Sequence, residues 1–248
     1  MVARRVLPAL GGAPFVWTTC VLFFQGVLVA GYALAYGVAR LRHSLAQAIA
    51  FGVILAVGLA SLPLPSEPAG LDGLARRSSP VLGLLALLTL WVGPSCLALS
   101  ATAPLLQHWY GRGLRESSRD PYGLYAASNA GSLLALAAYP LWIERAFSAS
   151  RQLQLWGVAV FGLAGLVALC VRVNGARWVE PPRILADAPR TRPTLRDWLA
   201  WMSLACVPSV LTLAVTSHLT TDLAAVPLLW VVPLGLYLLS MILAFAWR

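Results

Sequence analysis

Long apolar runs separated by short polar clusters recur along this chain from one end to the other. A helix that crosses a bilayer core needs about 20 mostly apolar residues. Seven stretches qualify by the spacing of their polar interruptions: 15–39, 44–62, 80–107, 121–143, 149–171, 197–220 and 223–247. The third is long enough to tilt or to project beyond the hydrocarbon. No fixed-period repeat is visible, and no soluble domain fits between the runs. The pattern predicts an all-α fold, a polytopic transmembrane bundle of about seven helices, with residues 1–248 forming a single transmembrane domain and no soluble catalytic domain.

The polar clusters differ in kind. "LPLPSEPAGLDG", 62–73, is rich in Pro and Gly and reads as an irregular connection on the outer side. "RVNGARWVEPPRILADAPRTRPTLRD", 172–197, is the long basic cytoplasmic loop, either a solvated linker held near anionic headgroups or a docking segment for a soluble partner. At its end Thr194 stands where a helix N-cap is expected. Asp197 follows at the capping-box position, where Glu or Gln is usual.

Composition removes the soluble alternatives. The chain is 59% hydrophobic and 11% charged, with mean hydropathy +0.77, against about 25% charged residues in soluble domains. A net charge of +9 and a pI of 10.1 would suggest nucleic acid in a soluble chain. Here every one of the 18 basic residues is Arg and nearly all lie in connections, so the positive-inside rule explains them and no nucleic-acid partner is expected. Of those 18, Arg4, Arg5, Arg76, Arg77, Arg145 and Arg151 fall on one side and the other twelve opposite. The richer side is expected to be cytoplasmic, with the N-terminus outside and the C-terminus inside, although Arg4 and Arg5 balance Arg40 and Arg42 across the first span. The first apolar run, about 24 residues, is too long for a signal peptide core and reads as a retained transmembrane helix. Cys20, Cys96, Cys170 and Cys206 stand singly inside apolar spans, so neither a zinc site nor a disulfide framework is implied. No metal or cofactor is expected.

Within the spans, Gly123, Ala127, Gly131 and Ala135 recur every four residues as a smooth ridge suited to close helix packing, and Gly52, Ala56 and Ala60 form a second such row. Asn129 lies off the first ridge near mid-span, placed to bridge helices or to line a polar cavity. Pro94 and Pro104 are expected to kink the third span. Gln107 and His108 at its end stand beside Trp109 and Tyr110, which read as interfacial anchors, with His108 a headgroup-level side chain.

The densest polar cluster is "TSHLTTDLAAVPLLWVVPL", 216–234. Pro208 is expected to interrupt the sixth helix, beyond which Ser209, Thr212, Thr216 and Thr220 share one face. His218 and Asp222, four apart, project from the opposite face if the helix persists. One reading is a helical hairpin turn with Asp222 capping the last helix and His218 at the interface. The other is a His–Asp pair at the mouth of a polar cavity, suited to proton coupling or to a cationic solute. Pro227 and Pro233 would break the last helix beside it, as in transporters. The candidate substrate-binding residues are His218, Asp222, Thr221 and Asn129.

"LPALGGAPFVWTTCVLFFQGVLVAGYALAY", "LSATAPLLQHWY", "DPYGLYAASNAGSLLALAAYP" and "TSHLTTDLAAVPLLWVVPLGLYLLSMILAF" together resemble a family of bacterial integral membrane proteins. Its members fuse a transporter-like multi-helix region to a spermidine-synthase-like domain. The resemblance implies an inner-membrane location and one more helix ahead of "LPALGGAPFVW". It also implies further helices and the synthase-like domain beyond Arg248, so the chain reads as truncated. No glycine-rich strand-to-helix loop followed by an acidic residue is present, nor an acidic catalytic cluster, so aminopropyl transfer cannot be assigned to these residues. The expectation is a membrane module, non-catalytic by itself, that anchors or supplies substrate to a spermidine-synthase-like domain or subunit. The alternative is a secondary transporter or permease for a small cationic or amphipathic solute. A membrane enzyme lacks any cluster of nucleophile, base or metal ligands.

Overall fold

The computed structural model describes residues 14–62, 79–113, 122–174, 193–218 and 231–246. Among these residues every regular element is a helix. They are α1 (Pro14–Ala39), α2 (Ser44–Ala60), α3 (Pro80–Trp91), α4 (Gly93–Gly113), α5 (Tyr122–Ala138), α6 (Ala149–Asn174), α7 (Leu195–His218) and α8 (Val231–Ala246). α5 passes into a π turn at Tyr139–Ile143 and closes in Glu144–Ala146. The π register follows from Pro140, which has no N–H to offer the preceding turn; the Glu144 N–H instead reaches the Tyr139 carbonyl, five residues back. α1, α6 and α7 are long and apolar enough to cross a membrane, and α3 with α4 would make a fourth crossing if counted as one bent span. α2 and α8 are apolar but shorter.

The chain divides into two compact units, Met1–Ser118 with Phe147–Glu180, and Arg119–Ala146 with Pro181–Arg248. In the first, α1 presents one stripe at spacings of three or four residues: Val16, Cys20, Phe23, Val27, Gly31, Ala35 and Val38. Its first half packs with Leu84, Leu87, Leu88 and Trp91 of α3 and Leu153 of α6. Its second half packs with Phe51 of α2, Ala101, Leu105 and Trp109 of α4, and Val167 of α6. Two glycines let the backbones close up. A Cβ at Gly31 would overlap Ser100 Cβ and lie 3.0 Å from the Ser100 carbonyl carbon; one at Gly58 would lie 2.8 Å from Ala98 Cβ.

In the second unit, α5 and α8 run antiparallel, since Tyr125 meets Phe245 at a ring separation of 5.5 Å while Gly235 lies against Leu133. α7 leaves nearly its whole circumference exposed, with Pro208, Thr212 and Thr216 only half-buried.

Several expectations are corrected. The third span is two helices, bent by 67° at Val92. The bend falls where Pro94 is expected to kink the span: Pro94 cannot donate to the Leu90 carbonyl, so the helix yields just ahead of the proline. Pro104 causes no break and lies inside α4. Nor does Pro208 interrupt α7, which runs unbroken from Leu195 to His218. Ser209 Oγ donates to the Ala205 carbonyl at 3.0 Å and Thr212 Oγ1 to the Pro208 carbonyl at 2.7 Å, while the carbonyl that the missing Pro208 N–H would have served is that of Leu204. Both small-residue rows, Gly123, Ala127, Gly131 and Ala135 and Gly52, Ala56 and Ala60, stand exposed rather than packed. The seventh stretch is described only from Val231, and Pro227 lies outside the described residues.

Candidate functional site

The best-defined polar arrangement lies in the first unit and is centred on Gln47. α2 turns Gln47, Phe51 and Gly58 to one face, toward α4 and the end of α1. Gln47 is fully buried. Its Nε2 donates to the carbonyls of Ala39, the last residue of α1, at 3.1 Å and of Leu41, just beyond it, at 2.8 Å, and its Oε1 accepts from Trp109 Nε1 at 2.9 Å. The amide thus uses both donors and its oxygen. The last carbonyls of a helix have no partner within it, and here a side chain from the next helix satisfies two groups at that terminus. Phe51 meets the Trp109 ring edge-on at 5.7 Å. None of the groups in this network titrates near neutral pH, so its chemistry is that of a clamp joining α1, α2 and α4.

Trp109 is therefore an interior residue and not the interfacial anchor its position at a span end predicts; it is 5% exposed. His108 beside it is half-buried. Gln47 was legible only as a lone amide one turn into an apolar helix. Its partners, eight and six residues back and 62 residues ahead, are not readable from local sequence. A second buried amide, Gln152, donates to the Phe147 carbonyl at 2.9 Å and secures the first turn of α6.

The sequence-predicted candidates lie in the second unit. Asn129 is half-buried in α5, and its Nδ2 donates to the Tyr125 carbonyl at 2.8 Å, within its own helix. His218 is the last residue of α7 and is exposed. Thr221 and Asp222 lie outside the described residues, together with Thr220, so the His218–Asp222 pairing falls there as well. Of the shared hydroxyl face, Ser209, Thr212 and Thr216 each donate to a carbonyl four residues back in α7, Thr216 at 2.6 Å. Those hydroxyl protons are engaged with the helix.

The entry to α7 follows the sequence reading closely. The Thr194 N–H and hydroxyl both donate to Asp197 Oδ2, at 2.8 and 2.7 Å, while the Asp197 N–H lies 3.3 Å from Thr194 Oγ1. This is a capping box with Asp in place of Glu. One turn on, Trp198 and Trp201 meet edge to face at 5.5 Å, each more than half exposed.

No protein-family model, no curated protein and no solved structure matches this chain.

Proposed function

We propose that the chain is an integral membrane module of about seven spans, non-catalytic by itself, that anchors or supplies substrate to a spermidine-synthase-like domain. The observation that carries the membrane part is α7, whose apolar stretch Leu195–Thr216 has none of its most apolar window buried within the protein. Leu204, Val207, Leu211 and Leu213 are each more than 60% exposed. An apolar surface of that extent belongs against lipid or other helices rather than water. The synthase-like association rests on the motif resemblance alone.

A second reading, a permease for a small cationic or amphipathic solute, is favoured by the bend between α3 and α4, since discontinuous helices near mid-membrane build the substrate sites of transporters. Its candidate solute-binding residues are His218, Asp222, Thr221 and Asn129, which belong to the second unit, whereas the bend belongs to the first.

Spermidine and putrescine binding to the full chain in lipid nanodiscs tests both readings, with His218→Ala and Asp222→Ala for comparison. Binding lost in both variants supports substrate delivery or transport through that cluster. Absence of binding in the wild type rejects both the permease and the supply role and leaves an anchor. An aminopropyltransferase activity in the purified chain overturns the non-catalytic reading.

A further inference from the structure

The end of the first unit that holds the Gln47 clamp also collects its positive charge. Gln47 binds the Ala39 and Leu41 carbonyls, and Trp109 reaches it from α4. Val38, Trp109 and Val167 share one apolar cluster, against which Val171 packs. The ends of α1, α4 and α6 and the start of α2 therefore meet here. Four arginines come with them: Arg40 and Arg42 in the α1–α2 turn, Arg112 in the last turn of α4 and Arg172 in the last turn of α6. Among the described residues the first unit contains no Asp or Glu, and Arg151 stands at the far end of α6.

Arg40, Arg42 and Arg172 are exposed, and among the described residues no carboxylate or carbonyl engages their guanidiniums. Arg40 lies 5.7 Å from the centre of the Tyr36 ring, a cation–π contact that holds it against α1. The turn itself is pinned, since Gln47 grips the Leu41 carbonyl between the two arginines.

Apolar surface adjoins this charge on both helices of the turn. Val29, Tyr32 and Tyr36 form a stripe on α1 that runs up to Arg40, and Leu45, Ile49 and Val53 form another on α2 just beyond Arg42. Each of these side chains is more than half exposed. A cationic turn over apolar flanks fits a molecule that is anionic at one end and apolar along its length. An acidic protein surface would meet the charge and leave the flanks bare.

We propose that this end of the first unit is a docking surface for anionic phospholipid. Arg40 and Arg42 meet its phosphate, Arg172 adds to the attraction, and acyl chains lie along the α1 and α2 stripes. Guanidinium groups pair with phosphate oxygens through parallel N–H donors, and each arginine at an anionic membrane surface strengthens attachment about fivefold. The surface requires the membrane placement proposed above, but neither polyamine recognition nor a particular orientation across the bilayer.

The full chain in nanodiscs of equal phosphatidylcholine and phosphatidylglycerol tests this by native mass spectrometry of the lipids that stay bound. The expected result is preferential retention of phosphatidylglycerol, with the preference about fivefold weaker in each of Arg40→Gln, Arg42→Gln and Arg172→Gln. Arg151→Gln removes the same charge at the opposite end and should leave the preference unchanged. All four side chains are exposed, so glutamine replaces each without touching the core. Equal retention of the two lipids by the wild type overturns the proposal. So does an equal drop in Arg151→Gln, the behaviour of attraction by net charge alone. Release of the retained lipid by inorganic phosphate would assign the arginines to a free anion and overturn it as well. A chain that does not stay in the nanodisc overturns the membrane reading itself, and this surface with it.

Discussion

Trp109 Nε1 donates to Gln47 Oε1 at 2.9 Å, a bond between α4 and α2 made across 62 residues of sequence. Because the same amide also holds the Ala39 and Leu41 carbonyls, one side chain fastens three helices at one end of the first unit. Gln47→Leu leaves a buried indole N–H without its acceptor, a loss of about 1–3 kcal/mol. Trp109→Phe should rescue part of it, the double variant falling short of the sum of the singles by about 1 kcal/mol. Reversible unfolding in mixed micelles measures the cycle, and strict additivity would show that the bond contributes nothing.

The two kinds of glycine should separate cleanly. Gly31→Ala drives a Cβ into Ser100 and Gly58→Ala brings one to 2.8 Å from Ala98 Cβ, so each should destabilise by about 1–3 kcal/mol through forced separation of the helices. Gly52→Ala and Gly131→Ala meet open space and should change stability by no more than about 0.5 kcal/mol. Heating followed by size-exclusion chromatography ranks the four variants, and an equal loss in all of them would contradict the packing described.

At the start of α7, Thr194→Ala removes both the hydroxyl that donates to Asp197 and the oxygen facing the Asp197 N–H. The expected loss is about 1 kcal/mol, seen as faster amide exchange confined to the first turn of α7. Asp197→Glu restores the usual capping-box residue and should leave that exchange unchanged. Faster exchange along all of α7 in Thr194→Ala would mean that the cap governs more than the terminus.

The bare face of α7 predicts a depth-dependent response to charge. Leu204 is 72% exposed near the middle of the span, and an arginine at a helix centre costs about 2.5–3.5 kcal/mol on insertion. Leu204→Arg should reduce the fraction of chain resistant to alkaline extraction from membranes. Leu41→Arg, between Arg40 and Arg42 beyond the end of α1, should not. Equal extraction of the two variants would place α7 outside the bilayer.

The sequence by itself determined that the described elements are helices, and it placed most of their ends within a few residues. Ser44 begins α2, Pro80 begins α3 and Ala149 begins α6, and the Thr194–Asp197 cap opens α7. Apolar run length, proline at a first turn and capping residues are local signals, so a linear reading captures them. The candidate site was legible only as residue types: Asn129 and His218 are placed one by one, while Thr221 and Asp222 fall outside the described residues. Which face of each helix meets protein was decided only by the tertiary structure. Gly31 and Gly58 are buried while the regular rows Gly52, Ala56, Ala60 and Gly123, Ala127, Gly131, Ala135 are exposed, although spacing favoured the latter. Lipid tails are as apolar as leucine, so hydropathy cannot tell a lipid-facing side from a packed one. The partners of Gln47 and the interior place of Trp109 likewise depend on helices brought together from distant parts of the chain, where close fit and the need to satisfy buried polar groups select one arrangement, whereas the bend at Val92 follows the local signal of Pro94.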